Sequence, residues 1–166
     1  MGQSDFERNL AKGKEGERRA SLELRKAGCE VWDASGPVKI ELDGLHYVPV
    51  DLSVNHEELS FFVQVKAKEP RRKYGDTGFE EAEYQNLKLL EIVKAHRVML
   101  LFVDSKEIYG IWLSQTSDEN SHIGWNEKDQ VRMRYWHRRS LRSIKELLRL
   151  AHSKPSRQKF IGEFFG

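Results

Sequence analysis

The chain has 166 residues, enough for one sizeable core and an accessory element but short for two full domains. Hydrophobic residues at 39%, charged residues at 33% and a net charge of +2 describe a globular chain with a highly charged surface, not a disordered or membrane one. Cys29 is the only cysteine, which excludes intrachain disulfides and cysteine-based zinc sites, and no apolar run approaches the ~20 residues of a membrane span. The polar start Gly2-Gln3-Ser4-Asp5 lacks a signal-peptide apolar region, so a cytoplasmic protein is expected.

The first predicted element is a helix over 12–27, ended by Gly28. Ala20, Leu24 and Ala27 lie three, seven and ten residues beyond Glu17, so Glu17 shares the stripe that should face the core. A carboxylate in that register asks for a cation, a donor or a metal. A short strand at 30–32 follows, then strands at 38–42 and 45–54 flanking Asp43-Gly44, a dipeptide with strong hairpin preference. The next strand, 61–66, alternates so that Gln64 and Lys66 share one face while Val63 and Val65 take the other. A return through Asn55-His56-Glu57-Glu58 would lay the Asp51 strand beside it, gathering Asp51, Gln64 and Lys66. A helix is expected from about Phe79 to His96, with Gln85 on an apolar stripe with Ala82, Leu89 and Ile92. Buried strands at 98–103 and 107–113 follow. This order is that of an α/β fold with a mixed sheet flanked by helices.

The remainder is basic: residues 126–166 hold 11 Lys or Arg against 4 Asp or Glu, a net +7, leaving −5 for residues 1–125. We therefore expect a core over 1–125 and a basic C-terminal extension, 126–166, packed on it within one compact domain. Ser140 is a candidate N-cap for a helix with an apolar stripe of Leu141, Ile144, Leu148 and Ala151, closed by Pro155. Arg138, Arg142, Lys145 and Arg149 line another face of that helix, a row of cations for phosphates. A second basic cluster, Lys68, Arg71, Arg72 and Lys73, continues from the end of the 61–66 strand. Trp125, Tyr135 and Trp136 are read as core or interface residues. The six histidines form no His-x3-His pair, which disfavours zinc, and neither a phosphate-binding loop nor a Gly-x-Ser-x-Gly elbow is present, so no nucleotide cofactor is implied.

The set Glu17, Asp51 and Gln64-Val65-Lys66 resembles the PD-(D/E)XK nucleases in order and spacing over roughly residues 12–113. The opening Lys-Gly-x-x-x-Glu-Arg, from Lys12 to Arg18, is similar to archaeal Holliday-junction resolvases and related restriction-type domains. The resemblance implies a restriction-endonuclease-like fold and a Mg2+- or Mn2+-dependent endonuclease acting on DNA; RNA is a second polymer to test, dimerisation is open, and a homodimer would supply the two active sites that concerted cutting of two strands needs. It implies Glu17, Asp51, the Gln64 carbonyl and the Val65 backbone carbonyl as metal ligands, Lys66 at the attacking water or the phosphate, and Gln85 as the helix residue of the resolvase branch. Gln64 stands where the family usually has Asp or Glu, so the alternatives are a nucleic-acid-binding module that does not cleave, or an interaction subunit of a defence or repair complex.

Overall fold

The computed structural model describes residues 2–34 and 36–152, with side chains described from residue 5 onward. Helix α1 spans Gly2–Lys26 and packs through Ala20 and Leu24, both fully buried, in the register expected from the sequence. It begins ten residues earlier than expected; residues 5–12 are exposed, so this part owes its helicity to Glu, Arg, Leu and Ala propensities rather than to burial. Gly28, at φ 95°, ends it by turning the chain into β1 (Glu30–Asp33).

The hairpin at Asp43-Gly44 forms as expected, with both residues at positive φ, joining β2 (Val38–Glu41) to β3 (Leu45–Val48). The single strand expected over 45–54 is instead two. Pro49-Val50-Asp51 interrupts it, and β4 (Leu52–His56) then enters a different sheet. Proline has no amide hydrogen to continue a ladder, so the chain changes partners there. The β4 strand turns tightly at Glu57-Glu58 into β5 (Leu59–Ala67), and the pairing Leu52↔Val63 through His56↔Leu59 fixes the register.

Strand β6 (Asp76–Glu80) precedes α2 (Glu81–Lys94), so the helix starts two residues later than Phe79. Its buried residues are Tyr84, Leu87 and Leu90, whereas Ala82, Gln85 and Ile92 are exposed; the predicted stripe is displaced onto the neighbouring face. Tyr84 has an aromatic partner in Trp136 and a hydroxyl bond to Thr116, and this tertiary packing sets the rotation of the helix. Strands β7 (Arg97–Val103) and β8 (Ile108–Trp112) complete a five-stranded sheet in the order β1-β4-β5-β7-β8, parallel only between β5 and β7. A second sheet, β6-β10-β9, contains β9 (His122–Asn126) and β10 (Val131–His137). The expected boundary at 125 thus falls inside β9, and the supposed extension continues a sheet begun by β6.

Helix α3 spans Ile144–His152. Its cap is Ser143, whose hydroxyl accepts from the Glu146 amide, and not Ser140, which lies in a preceding 3-10 turn; Pro155 lies outside the described residues. The main sheet separates two apolar clusters. Val63, Val65, Met99 and Leu101 face α1 and α3, while Leu100, Phe102 and Ile111 face α2 and the smaller sheets. No helix among the described residues is long and apolar enough to cross a membrane.

Candidate active site

The site begins where two strands part. Asp51 donates its amide to Val63 O, the last backbone bond from this side of β4 to β5, and the preceding Pro49-Val50 leads the chain away. Among the described residues, no strand pairs with the β4 side of β5 beyond Val63, and the Asp51 carboxylate takes the first vacant position: Val65 N–H donates to Asp51 Oδ2 at 2.7 Å. The amide and carbonyl of one strand residue point to the same side, so the Val65 carbonyl faces this opening as well.

The face alternation expected for β5 is observed. Val63 and Val65 enter the cluster under α1, while Gln64 and Lys66 point towards α2. There they meet Glu83, in the first turn of α2. Gln64 Nε2 donates to Glu83 Oε1 at 2.8 Å, and Lys66 Nζ also donates to the Glu83 carboxylate at 2.8 Å. With the Gln64 amide nitrogen donating to Glu83, Gln64 Oε1 is left as a buried acceptor with no hydrogen-bond partner among the described residues. The Lys66 ammonium also lies 5.4 Å from the centre of the Phe79 ring.

Glu17 reaches the same end of β5 from α1. The approach depends on Gly16, since a Cβ there would stand 2.7 Å from Ala67 Cβ. Glu17 is pushed up to about 7 by burial, then by the charge of Asp51 and hydrogen bonding to it, with Asp33 adding to it. Asp51 is also raised, chiefly by burial, against the opposing help of the Val65 amide, Glu17 and Lys66. Two carboxyls of raised proton affinity, a backbone carbonyl at a vacated strand edge and a buried amide oxygen make a hard-oxygen donor set. That set suits a Mg2+-like cation, which favours oxygen ligands and retains waters.

Sequence reasoning missed Glu83 and Asp33. Glu83 is one of several acids at the start of α2, where carboxylates complement a helix dipole, and nothing local marks the one that crosses to β5. Gln85 does not join the cluster through its hydrogen bond: its amide donates to Glu81 at 2.7 Å, and Glu81 is engaged by Arg134. The expected phosphate-binding cations divide. Lys68 donates to Gly78 O and Arg71 forms a two-pronged pair with Asp76, stacked 3.7 Å from the Tyr135 ring centre, so both act as braces. Arg72 and Lys73 are exposed beside them. Arg138 precedes α3, pairs with Glu107 and covers Tyr109; Arg142 pairs with Glu146; Lys145 and Arg149 line a recess between α1 and α3. Tyr135 and Trp136 are buried as expected, but Trp125 is 58% exposed on strand β9.

No family model matches the sequence, and no curated protein does. Among solved structures, the chain is similar to Hjc of the hyperthermophilic archaeon Archaeoglobus fulgidus, described as a Holliday junction resolvase, with a TM-score of 0.56 and 13% identity over 81% of this chain and 93% of that one. The mixed sheet and its flanking helices thus match a resolvase-like, restriction-endonuclease-like fold.

Proposed function

We propose that the protein is a divalent-metal-dependent endonuclease of the PD-(D/E)XK type that hydrolyses phosphodiester bonds in DNA, with branched DNA as the first substrate to test. The observation that carries this reading is the parting of β4 from β5, which collects Asp51, Glu17, the Gln64 carbonyl, the Val65 carbonyl and Lys66 at one strand end. The likeness of the fold to a junction resolvase supports it.

In this reading Glu17, Asp51, Gln64 Oε1 and the Val65 carbonyl hold the cation. A bound divalent ion would supply Lewis-acid stabilisation of a phosphoryl oxygen and lower the pKa of a coordinated water. Asp51 is kept in position by the Val65 amide, and Gln64 by its bond to Glu83. Lys66, held by Glu83, presents its ammonium to the water or to the charge developing on the phosphate. Glu17 must lose its proton before it can serve as a ligand, so loading is coupled to proton release. Arg72 and Lys73, exposed in the segment after β5, would contact the DNA backbone, and a homodimer would provide two such sites for paired cuts.

A second reading rests on Gln64. With a neutral amide at that position the site has fewer anionic ligands, which favours a module that binds nucleic acid without cutting it. Incubation with junction, flap, duplex and single-stranded DNAs, and with RNA, in Mg2+, Mn2+ or EDTA separates the two. Metal-dependent products that vanish in Asp51→Asn support the enzyme; salt-sensitive binding with no product under any metal supports the module.

A further inference from the structure

At the opposite end of the β4–β5 hairpin from Asp51, three side chains that can ligate a metal converge. His56 closes β4, Glu57 forms the turn, and His152 ends α3, 96 positions from His56 along the chain. His56 Nδ1 and His152 Nε2 are 2.7 Å apart, with ring centroids at 4.8 Å. A Glu57 carboxylate oxygen lies 3.7 Å from His152 Nδ1, and the candidate ligand atoms of the three residues all lie within 4.8 Å of one another. From Asp51 to His56 the strand spans about 17 Å at ~3.3 Å per residue, so this cluster shares nothing with the acidic site.

Two ring nitrogens at this distance can share one proton, and a divalent ion replaces that proton when the rings open by roughly 0.6 Å and Glu57 swings inward. Tetrahedral ligands at about 2.0–2.1 Å from zinc stand a little over 3 Å apart. The surroundings permit the adjustment. The cluster borders a recess of about 410 Å3 walled by Lys26, Leu148 and Arg149, and Glu57 is largely exposed. Position 57 has a φ of 56°, a conformation that favours Gly or Asn, yet it carries a carboxylate. The cationic wall penalises a weakly held hard ion, whereas imidazole selects zinc-like metals over magnesium.

We propose that His56, Glu57 and His152 form a second metal site that takes an imidazole-preferring divalent cation of the Zn2+ class, and that the ion clamps the end of α3 to the β4–β5 turn. Water or a small anion would complete the coordination from the recess that Lys145 and Arg149 line.

The test uses the untagged full chain carrying Asp51→Asn, so that the acidic cluster does not contribute. Zinc titrated by calorimetry should bind at one ion per chain and raise the unfolding temperature, with millimolar Mg2+ neither competing nor stabilising. His56→Gln, which keeps hydrogen bonding to His152, and His152→Ala should each abolish the saturable zinc binding and the thermal shift; Glu57→Gln should weaken binding about tenfold or more. Ring-nitrogen NMR of the chain with both histidines intact should show two imidazoles shifting together on zinc addition. No saturable zinc binding, binding unchanged in both histidine variants, shifts at other histidines, or equal competition by Mg2+ would each overturn the assignment.

Discussion

Glu83 constrains what position 64 will tolerate. A carboxylate placed there would stand against the Glu83 carboxylate, which Lys66 holds. Gln64→Glu should therefore lower the unfolding temperature of the metal-free chain, and either Mn2+ or the added change Glu83→Gln should restore it. The double variant should need less metal for half-maximal cleavage than the unaltered chain; scanning calorimetry and a metal titration of activity read the two effects. Asp51→Asn and Lys66→Ala should each reduce cleavage by at least 100-fold with binding of DNA retained, since both act mainly on the reaction step. Retained cleavage in either would remove that residue from the chemistry. Glu17 sets a pH dependence. Its carboxyl is raised from 4.5 to about 7, so the folded chain binds a proton that the unfolded chain has released, and the stabilisation present below about pH 4.5 is lost as pH rises through about 7. Relative to Glu17→Gln, the metal-free chain should lose thermal stability across that window, while Mn2+ affinity should rise over it and level off above. A flat metal affinity between pH 5.5 and 8 would mean that Glu17 is not a ligand.

Among the elements, α1 and β5 meet through the smallest possible contact, and Gly16 supplies it. Gly16→Ala would force its new methyl group against Ala67, costing about 1–3 kcal/mol, and would move Glu17 away from Asp51. Gly13→Ala, where nothing lies within 4 Å, should leave stability unchanged or slightly improved. Denaturant unfolding of both variants, with activity assayed on the folded fraction, separates packing from position. The same elements show how much could be read from the chain. The stripe of α1, the Asp43-Gly44 hairpin and the face alternation of β5 were legible because each is set by local periodicity or turn chemistry. The break at Pro49 shares its residues with a strand-like run, and only the change of sheet reveals it. Strand β6 was hidden because Asp76-Thr77-Gly78 has weak strand propensity; Gly78 is required where the Arg134 carbonyl passes so close that a Cβ would overlap it. The rotation of α2, and with it the choice of Glu83 over Gln85, comes from Tyr84 packing against residues far away in sequence.

Across the whole molecule, the charge asymmetry resolves into two kinds of cation. Lys68, Arg71, Arg134 and Arg138 are spent on internal carbonyls and carboxylates, so counting basic residues overstates the surface available to phosphates. Arg72→Gln with Lys73→Gln should weaken DNA binding and lower the magnitude of the log–log salt slope by about 0.7–0.9 for each phosphate no longer neutralised. An unaltered slope in this folded double variant would move the binding surface to Lys145 and Arg149 instead. The parted strands also give the molecule a built-in spectroscopic probe. Val65 lies in a central strand, yet its amide hydrogen rests on the Asp51 carboxylate instead of on a neighbouring backbone carbonyl. Any cation drawn to that carboxylate must repolarise this one bond while the pairing of β5 with β7 is untouched. In a 15N-labelled sample the Val65 cross-peak should therefore move far more than those of Val63 or Leu101 on adding Mg2+, and its exchange with deuterium should slow, so that occupancy of the cleft is read without any substrate.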